Sequence, residues 1–570
     1  MLSQDVPFGK AEATSNEVDL NTALQEVNNE GKPYDPAYDR RDMRRLGRIQ
    51  EVKRRFRFFS IVGYMVILAS TWEFALVTSV FSLSNGGTAG TIWLTLIACC
   101  GMFLSCLSMA EMASKEIYRR RPPEQLLTFT LIASRHLAHS RRNSSIIGFA
   151  PPGYQKPLSY AVGWLCALGW QSAMPLISYT AAQQVIALIA TCQPDFVWKG
   201  WQGALLTIAF VLFAILFNMF AINKMPLIEG LVVTIHLFGF FAFVVIFWVL
   251  GPREPASRVF TEFQDQNGWG SYGLATLVAV VGPSAALIGA DAAVHLAEEL
   301  KDASYILPRA MVSSALINYA TAFTMIISFV SAIDPALLED VLATSTGQPW
   351  VAVIRHVTGS QAATIALAVV MCFQFTFTSI NQATTSSRQL WAFARDKGVP
   401  FHGFLSKVRQ NVGYPSMPLL NSIAGQRARR RSTHNAVFVT LGSTVVFSMI
   451  IIGSTIAFNV ILSVCNVALI ISYTICIATM VAKRPRGEKL PPSRFNLGHA
   501  GLFINIAALC WLSVLGVFLF FPAVPNPTPA SMNWACLMFG VVMIFACVWY
   551  FVRGRHEYDG PVRYIRKDVE

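Results

Sequence analysis

The chain has 570 residues, of which 54% are hydrophobic and only 14% are charged, whereas about 25% of the residues of a typical soluble protein are charged. So few charges cannot solvate a globular surface of this size, and the composition also excludes a disordered chain and a disulfide scaffold. The formal net charge of +13 would suit nucleic-acid binding, so the positions of the basic residues decide its meaning.

Long apolar runs recur along the chain, each near the roughly 20 residues that cross a bilayer core. They predict twelve transmembrane helices, numbered as spans one to twelve, at 59–83, 91–113, 159–190, 202–222, 227–250, 273–298, 310–332, 361–385, 436–453, 456–481, 499–521 and 532–552. The polar and charged stretch before them predicts a disordered cytosolic tail over 1–57. A twelve-helix domain is expected over 58–555, followed by a cytosolic tail over 556–570.

The distribution of Lys and Arg predicts the orientation in the membrane, because cytosolic loops are enriched in both residues. With both termini in the cytosol, 41 of the 45 basic residues fall in cytosolic segments and none falls inside a span. The outer loops contain only Lys199, Arg253, Arg258 and Arg355. Membrane orientation therefore explains the basic excess, and no nucleic-acid partner is predicted.

The cysteines and histidines indicate no metal site and no cofactor. Ten of the eleven cysteines lie in spans, and the chain lacks CxxC and His/Cys metal-ligand spacing. Cys192 alone lies outside the membrane, so no disulfide is expected. A multispan membrane enzyme would need a His/Asp or Asp-rich cluster at a membrane face, and the nine histidines are dispersed. The chain is therefore not predicted to be an enzyme.

Ionisable residues inside the predicted spans are candidates for function, because a charged side chain at mid-membrane costs about 2.5–3.5 kcal/mol on insertion scales. Glu73 interrupts span one, and His236 lies in span five. Asp291 and His295 are four residues apart in span six, which places them on one helical face. Glu229, near the cytosolic end of span five, is interpreted as interfacial.

Spans one and six share small polar or glycine residues in mid-run, which favour a break in the helix. These residues are 69–71 in span one and Gly282, Pro283, Ser284 and Gly289 in span six. Broken helices in corresponding halves of an inverted repeat form the midplane binding site of many secondary transporters. The two spans are five apart, as a repeat of the first five spans by the next five requires. Close helix packing through small residues is the alternative interpretation.

Two long motifs and several short ones connect these breaks to a known family. The long motifs are GADAAVHLAEELKDAS at 289–304 and SSRQLWAFARDKGVPF at 386–401. Shorter pieces are TWE at 71–73 and APPGYQK at 150–156. With these motifs the chain, over about residues 56–555, resembles the amino acid–polyamine–organocation permeases, and in particular the fungal amino acid/choline/GABA permease family.

The resemblance implies an all-α LeuT-type fold, in which a 5+5 inverted repeat is followed by two further helices and helices 1 and 6 are discontinuous. It implies a substrate site between the broken helices, lined also by helices 3 and 8. Backbone groups freed by unwinding would bind a carboxylate and an amine. The predicted substrate-binding residues are Ala69, Ser70, Thr71, Trp72, Glu73, Trp170, Gln171, Ala286, Leu287, Ile288, Gly289, Asp291, Phe375, Thr378 and Asn381.

The resemblance also implies uptake coupled to an ion gradient, which in fungal relatives is usually a proton gradient. Glu73, Asp291 and His295 are the predicted coupling residues, because a histidine–carboxylate pair can relay protons near neutral pH. Opposite charges at the cytosolic ends of spans six and eight predict an inner gate. The residues of this gate are Glu298, Glu299, Arg388 and Arg395. The alternative for all of these residues is a structural role, as bonded carboxylates, a packed histidine and helix caps.

Two segments depart from the family pattern, 115–149 between spans two and three and 420–434 before span nine. At each of them the pattern stops abruptly and later resumes. They are interpreted as translated intron or out-of-frame sequence, and the alternative is a real cytosolic elaboration. If the first segment belongs to the true product, helix 3 lacks its usual start, so a defective permease is an alternative function.

The sequence thus predicts a secondary active permease for an amino acid or a small amine such as GABA, choline or a polyamine, with proton-coupled uptake by alternating access. The expected partners are the small-molecule substrate, H⁺ and membrane lipid. The plasma membrane is the expected location and the vacuolar membrane the alternative. A permease-like nutrient sensor that does not transport is a further alternative. A major-facilitator carrier is disfavoured, because the loop between spans two and three has no Gly-x-x-x-Asp-Arg pattern.

Overall fold

The computed structural model of the chain describes residues 58–118, 154–193, 195–221, 225–300, 302–334, 337–344, 346–407, 409–411, 430–432, 434–453, 457–484, 493–529 and 531–558. The predicted N-terminal tail and most of the C-terminal tail lie outside the described residues, as does most of each of the two atypical segments, 115–149 and 420–434.

The described part of the chain is almost entirely helical. Its α-helices are α1 (Phe58–Ala69), α2 (Thr71–Tyr118), α3 (Gln155–Cys192), α4 (Gly200–Ala221), α5 (Met225–Leu250), α6 (Ala256–Thr261), α7 (Tyr272–Val278), α8 (Val281–Leu287), α9 (Ala303–Ser331), α10 (Leu338–Leu342), α11 (Pro349–Thr358), α12 (Gln361–Arg395), α13 (His402–Leu405), α14 (His434–Gly453), α15 (Ala457–Lys483), α16 (Gly501–Phe518), α17 (Ala535–Trp549) and α18 (Arg555–Glu557). Shorter elements are 3₁₀ segments at Ala292–Glu299 and Gly498–Ala500, a π-helical turn at Tyr550–Gly554, and the antiparallel strands β1 (Arg409–Asn411) and β2 (Arg430–Ser432).

Eleven helical segments of the described chain are long and apolar enough to cross a membrane, and the first of them contains two predicted spans. This segment, 58–115, is divided at Gly87, whose φ of 64° is accessible to glycine without strain. The chain turns back there, because Met65 before the turn and Cys106 after it both make sulfur hydrogen bonds to the same turn of α9. The predicted all-α multi-pass membrane protein is confirmed.

Helices α3 and α15 occupy the centre of the bundle, and α17 lies at its outside. α3 packs along α12 and α15, and these contacts bury most of its length. The outer helix α17 instead exposes large apolar side chains such as Leu537, Val541 and Ile544. A water-soluble surface would not tolerate so large an apolar area, whereas a bilayer solvates it.

Buried ion pairs connect helices to the loop between α15 and α16. Glu111 of α2 lies 3.1 Å from Lys115 and 2.6 Å from Arg484. Asp302, which precedes α9, lies 2.5 Å from Arg494. Because an isolated buried charge is costly, each of these carboxylates is stabilised by a basic partner from another part of the chain or the next helical turn. The pairs tie the end of α2 and the start of α9 to one loop.

Candidate functional site

The first helical break lies at Ser70, between α1 and α2. Its φ is 39°, a left-handed conformation that costs a non-glycine residue roughly 1–2 kcal/mol. The Ser70 hydroxyl donates to the carbonyl oxygen of Ile67 at 2.8 Å and is 2.5 Å from the Thr378 hydroxyl of α12. Thr378 also donates to the Ile67 carbonyl oxygen at 2.9 Å. These bonds hold the break against α12.

The second break separates α8 from the 3₁₀ segment Ala292–Glu299. Ile288 is extended, with φ −75° and ψ 155°, and Gly289 has a φ of 110° that favours glycine. Because the helix ends here, the carbonyl oxygen of Leu287 is free to accept a hydrogen bond from the Tyr319 hydroxyl of α9 at 2.8 Å. Both predicted discontinuities, in spans one and six, are therefore present.

A cavity of about 50 Å³ lies between the two breaks. Ala69 borders it at the first break, and Ile288 and Gly289 border it at the second. The remaining walls come mainly from α3, α12 and α15. Ordinary ligand pockets measure roughly 300–1,000 Å³, so the broken helices must separate before a small organic molecule can enter.

The cavity offers hydrogen-bond donors and no charge. None of the described residues that line it is charged. Gln382 of α12 donates its amide to the hydroxyl of Ser386 at 2.9 Å. By contrast, Nδ2 of Asn466 on α15 and Nε1 of Trp170 on α3 are buried without a hydrogen-bond partner within the described part of the chain. A bound molecule with acceptor oxygens would satisfy both groups, each of which is otherwise costly to bury.

Of the predicted substrate-binding residues, Ala69, Trp170, Ile288 and Gly289 line this cavity. The others are not among the residues that line it, and they are Ser70, Thr71, Trp72, Glu73, Gln171, Ala286, Leu287, Asp291, Phe375, Thr378 and Asn381. Ala286 and Leu287, for example, border a smaller void on the other side of α8.

Several of these residues point away from the cavity, because consecutive side chains on an α-helix point in directions about 100° apart. On α12, Gln382 lines the cavity, whereas the carbonyl oxygen of Asn381 accepts a hydrogen bond from Tyr64 at 2.9 Å. Phe375 is fully buried on the same helix. On α3, the Gln171 amide donates to the backbone of α12 at 3.0 Å and its oxygen accepts a hydroxyl hydrogen bond from α14 at 2.9 Å. The side chain of Gln171 thus joins three helices outside the cavity.

Glu73 forms a histidine–carboxylate pair beside the cavity. It is fully buried, and its Oε1 lies 2.7 Å from Nδ1 of His236 on α5. Gln374 of α12 donates to the same oxygen at 3.0 Å. Oε2 of Glu73 and Nε2 of His236 have no hydrogen-bond partner among the described residues. The pair therefore joins three helices and leaves one oxygen and one nitrogen without a hydrogen-bond partner among the described residues.

Asp291 forms a second carboxylate cluster, on the other side of the cavity. Its Oδ1 accepts a hydrogen bond from the Tyr473 hydroxyl of α15 at 2.5 Å. Nε2 of His295 lies 3.7 Å from Oδ2, beyond hydrogen-bond distance. The His295 ring packs edge-on against Trp170 with centroids 5.3 Å apart. The ring of Trp170, which lines the cavity, thus connects this cluster to it.

Glu229 is buried near the beginning of α5, and its interfacial depth stays a prediction. Only 4% of the residue is exposed, and the side-chain amide of Asn381 on α12 is close enough to interact with its carboxylate. Glu229 precedes His236 by seven residues, so the two lie on one face of α5 about 10 Å apart. The polar groups of α5 therefore extend from mid-helix towards its beginning.

The predicted inner gate is only partly described. The side chains of Glu298 and Glu299 lie outside the described residues. On α12, Arg388 is half-buried, and the guanidinium of Arg395 lies 4.5 Å from the ring centroid of Trp391. The ion pair between the two helices stays a prediction.

Three site residues have no role in the sequence-based prediction. His236 is placed in span five without a partner, and Gln382 and Asn466 are not singled out. Asn466 could be found from sequence, because an amide inside an apolar span is costly unless it is bonded. Gln382 could not be found from sequence. It is the neighbour of Asn381, and sequence alone does not fix the rotation of a helix to within one residue.

Comparison with known proteins gives matches over most of the chain. A family model described as "Amino acid permease" matches residues 126–544. The chain is 25% identical over 534 residues to the choline transporter of Saccharomyces cerevisiae, covering 93% of this chain and 87% of that protein. It is 27% identical over 531 residues to an uncharacterized amino-acid permease of Schizosaccharomyces pombe, covering 91% of this chain and 85% of that protein. It is 24% identical over 528 residues to amino-acid permease 2 of Neurospora crassa, covering 91% of this chain and 88% of that protein.

Proposed function

This chain belongs to the amino acid permease family, and from that premise we propose that it is a secondary active permease that takes up an amino acid or a small amine, such as GABA, choline or a polyamine, together with protons. The observation that carries the proposal is the cavity between Ser70 and Gly289, where two broken helices meet inside an integral multi-pass membrane protein. Broken helices are the usual binding elements of secondary transporters.

The chemistry of the cavity supports a substrate that is recognised by dipoles rather than by a fixed charge. The wall residues are uncharged, and helix ends supply partial charges for a carboxylate or an ammonium group. Asn466 and Trp170 each add an N–H donor. The names of the relatives, which include amino-acid permeases and a choline transporter, support the same substrate classes.

Proton coupling is assigned to the Glu73–His236 pair. Histidine is the side chain whose charge changes between pH 5 and 8, so this pair can accept a proton from the outside and release it inside. The pair bridges α2, α5 and α12, and α12 also holds the first break through Thr378. Protonation would change the charge between helices that must move for the cavity to open, which couples the proton to alternating access.

The overall arrangement is assigned to the LeuT-type fold with both termini in the cytosol, at the plasma membrane. The five-span separation of the two breaks supports the inverted repeat, and the Lys and Arg distribution supports the orientation. The Asp291–His295 cluster is assigned a supporting role, because it contacts the cavity wall through Trp170.

Uptake by a permease-deficient yeast strain expressing the full chain tests the proposal. Radiolabelled amino acids, GABA, choline and spermidine are offered separately at external pH 5 and pH 7.5, with and without a protonophore. We expect accumulation of at least one compound, higher at pH 5 and abolished by the protonophore. Absence of uptake of the whole panel by protein at the cell surface would contradict transport, and sodium-dependent, pH-independent uptake would contradict proton coupling.

A further inference from the structure

A second and much larger cavity lies on the side of α3 that faces away from the central one. Its volume is about 680 Å³, and it is bounded by α3, the end of α12, the segment after it, α14 and α17. Its walls are apolar apart from Gln171, whose amide already bonds to the neighbouring helices. The lining residues that matter below are Trp164, Leu168, Phe401, Phe404 and Val542.

This groove is open at one edge and adjoins the outer apolar surface of the bundle at α17. Phe401 and Phe404 at its edge are 84% and 55% exposed. Val542 belongs to α17, which exposes the apolar side chains of the outer bundle surface. An apolar cavity does not hold water, and even one of roughly 150 Å³ binds a benzene molecule. Hydrocarbon is therefore the material that fills a groove of this size in a membrane.

The groove walls lie about one leaflet's thickness from a group of basic residues. Trp164 is eight residues from Lys156 and Val542 is eleven residues from Arg553, so about 12–16 Å of helix separates the groove walls from these two cations. Half of a hydrocarbon core of about 30 Å is a similar distance. Lys156 donates to the carbonyl oxygen of Arg555 at 2.7 Å, which brings the basic ends of α3 and α17 together.

The charge at that end is positive on balance. Among the described residues, the basic groups at this end are Lys156, Arg553 and Arg555. The acids are Glu557, which lies 2.9 Å from Arg553 and 3.8 Å from His402, and Asp396, which interacts with Tyr558. A basic patch at a membrane surface attracts anionic headgroups.

We propose that this groove binds one acyl chain of an anionic phospholipid from the cytosolic leaflet, with the headgroup at Lys156, Arg553 and Arg555. The chain contacts the face of α3 opposite to Trp170 and lies against the Gln171 contact between α3, α12 and α14. A bound lipid therefore supports the wall of the central cavity from behind.

Photo-cross-linking of the purified full chain in nanodiscs tests the site. The probe is phosphatidylserine with a diazirine in mid-acyl chain, and labelled peptides are mapped by mass spectrometry. We expect labels in the peptides of Trp164–Leu168, Phe401–Phe404 or Val542. Val542→Trp fills the groove and should lose this label, whereas Val541→Trp, at the exposed neighbouring position, should retain it. Leu168→Trp fills the groove from α3 and replaces Val542→Trp if that variant does not fold.

Two outcomes would overturn the proposal. If Val541→Trp, Val542→Trp and Leu168→Trp are all labelled equally, the label comes from lipid that surrounds the whole protein and not from lipid in the groove. Absence of label from the groove peptides of the unaltered chain, with label on other lipid-facing helices, would mean that no lipid enters the groove.

The headgroup half of the proposal has its own test. Unlabelled phosphatidylserine should compete for the label better than phosphatidylcholine, and Arg553→Gln should remove this difference. Arg258→Gln, on an exposed arginine remote in sequence from the basic end, is the matched control and should leave it unchanged. Equal competition by the two lipids with the unaltered chain would exclude an anionic headgroup.

Discussion

At the scale of single residues, Glu73 occupies a position where a charged side chain is energetically costly. A charge in mid-membrane costs about 2.5–3.5 kcal/mol on insertion scales, and two hydrogen bonds, from His236 and Gln374, offset part of that cost. Both partners converge on one oxygen and leave the other unbonded among the described residues. A carboxylate used only for structure would gain from having both oxygens satisfied.

Glu73→Gln should abolish proton-coupled uptake while the protein still reaches the cell surface. The glutamine keeps the size and one acceptor oxygen but cannot exchange a proton. The measurement is substrate uptake at pH 5, normalised to surface protein. Glu262→Gln, at a half-exposed position after α6, is the control and should transport normally. Normal uptake by Glu73→Gln would remove this residue from the coupling mechanism.

Asn466→Ala should raise the KM for the transported substrate with little change in surface expression. One hydrogen bond to a bound molecule contributes about 1–3 kcal/mol, which corresponds to a roughly five- to hundredfold rise in KM. Asn505→Ala is the matched control, since this amide on α16 is also buried and unbonded among described residues but lies away from the cavity. Equal changes in KM for both variants would argue against a contact with substrate.

At the scale of elements, the two helix breaks have different causes. The second break contains Gly289, at a φ of 110° that glycine adopts freely, and no atom within 4 Å would meet an added Cβ. The first contains Ser70, a non-glycine residue held at φ 39° by hydrogen bonds to Ile67 and Thr378. The sixth span thus breaks through its own sequence, and the first is held broken by α12.

Gly289→Ala should impair transport by straining the second break. The cost is about 1–3 kcal/mol from backbone conformation alone, because the space for the methyl group is open. Gly230→Ala on α5 adds the same methyl group in open space within a regular helix, and it should leave uptake and thermal stability unchanged or slightly improved. The readouts are uptake rate and melting temperature in detergent. If both variants have the same uptake rate and melting temperature, the positive φ of Gly289 is not important for transport.

At the scale of the whole molecule, the bundle separates a buried centre from a lipid-facing shell. The central helices α3 and α15 carry the cavity residues Trp170 and Asn466. The outer helix α17 carries the apolar surface that adjoins the groove at Val542. The central cavity and the apolar groove thus lie on opposite faces of the same helix, α3.

The predicted orientation can be tested with Cys192, which is exposed at the end of α3. With both termini in the cytosol this end faces outward, so a membrane-impermeant maleimide should label intact cells at Cys192. Cys192→Ser should abolish the labelling, because the other ten cysteines lie inside predicted membrane spans. Labelling that requires permeabilised cells would reverse the topology.

Composition and periodicity by themselves determined the membrane class, the helices and the two breaks. Apolar length decides whether a segment spans a bilayer, and glycine at 289 or small polar residues at 69–71 disfavour a continuous helix wherever they occur. The long motifs at 289–304 and 386–401 then indicated the family, which the family model and the relatives confirm.

Only the tertiary structure decided which side chains face the cavity and which pair with one another. His236 and Glu73 are 163 residues apart, and Gln382 differs from Asn381 by a rotation of about 100° around α12. Such relations depend on helix rotation and on packing between distant segments, and the pattern of one segment contains no information on either. The apolar groove behind α3 likewise exists only where four distant elements meet.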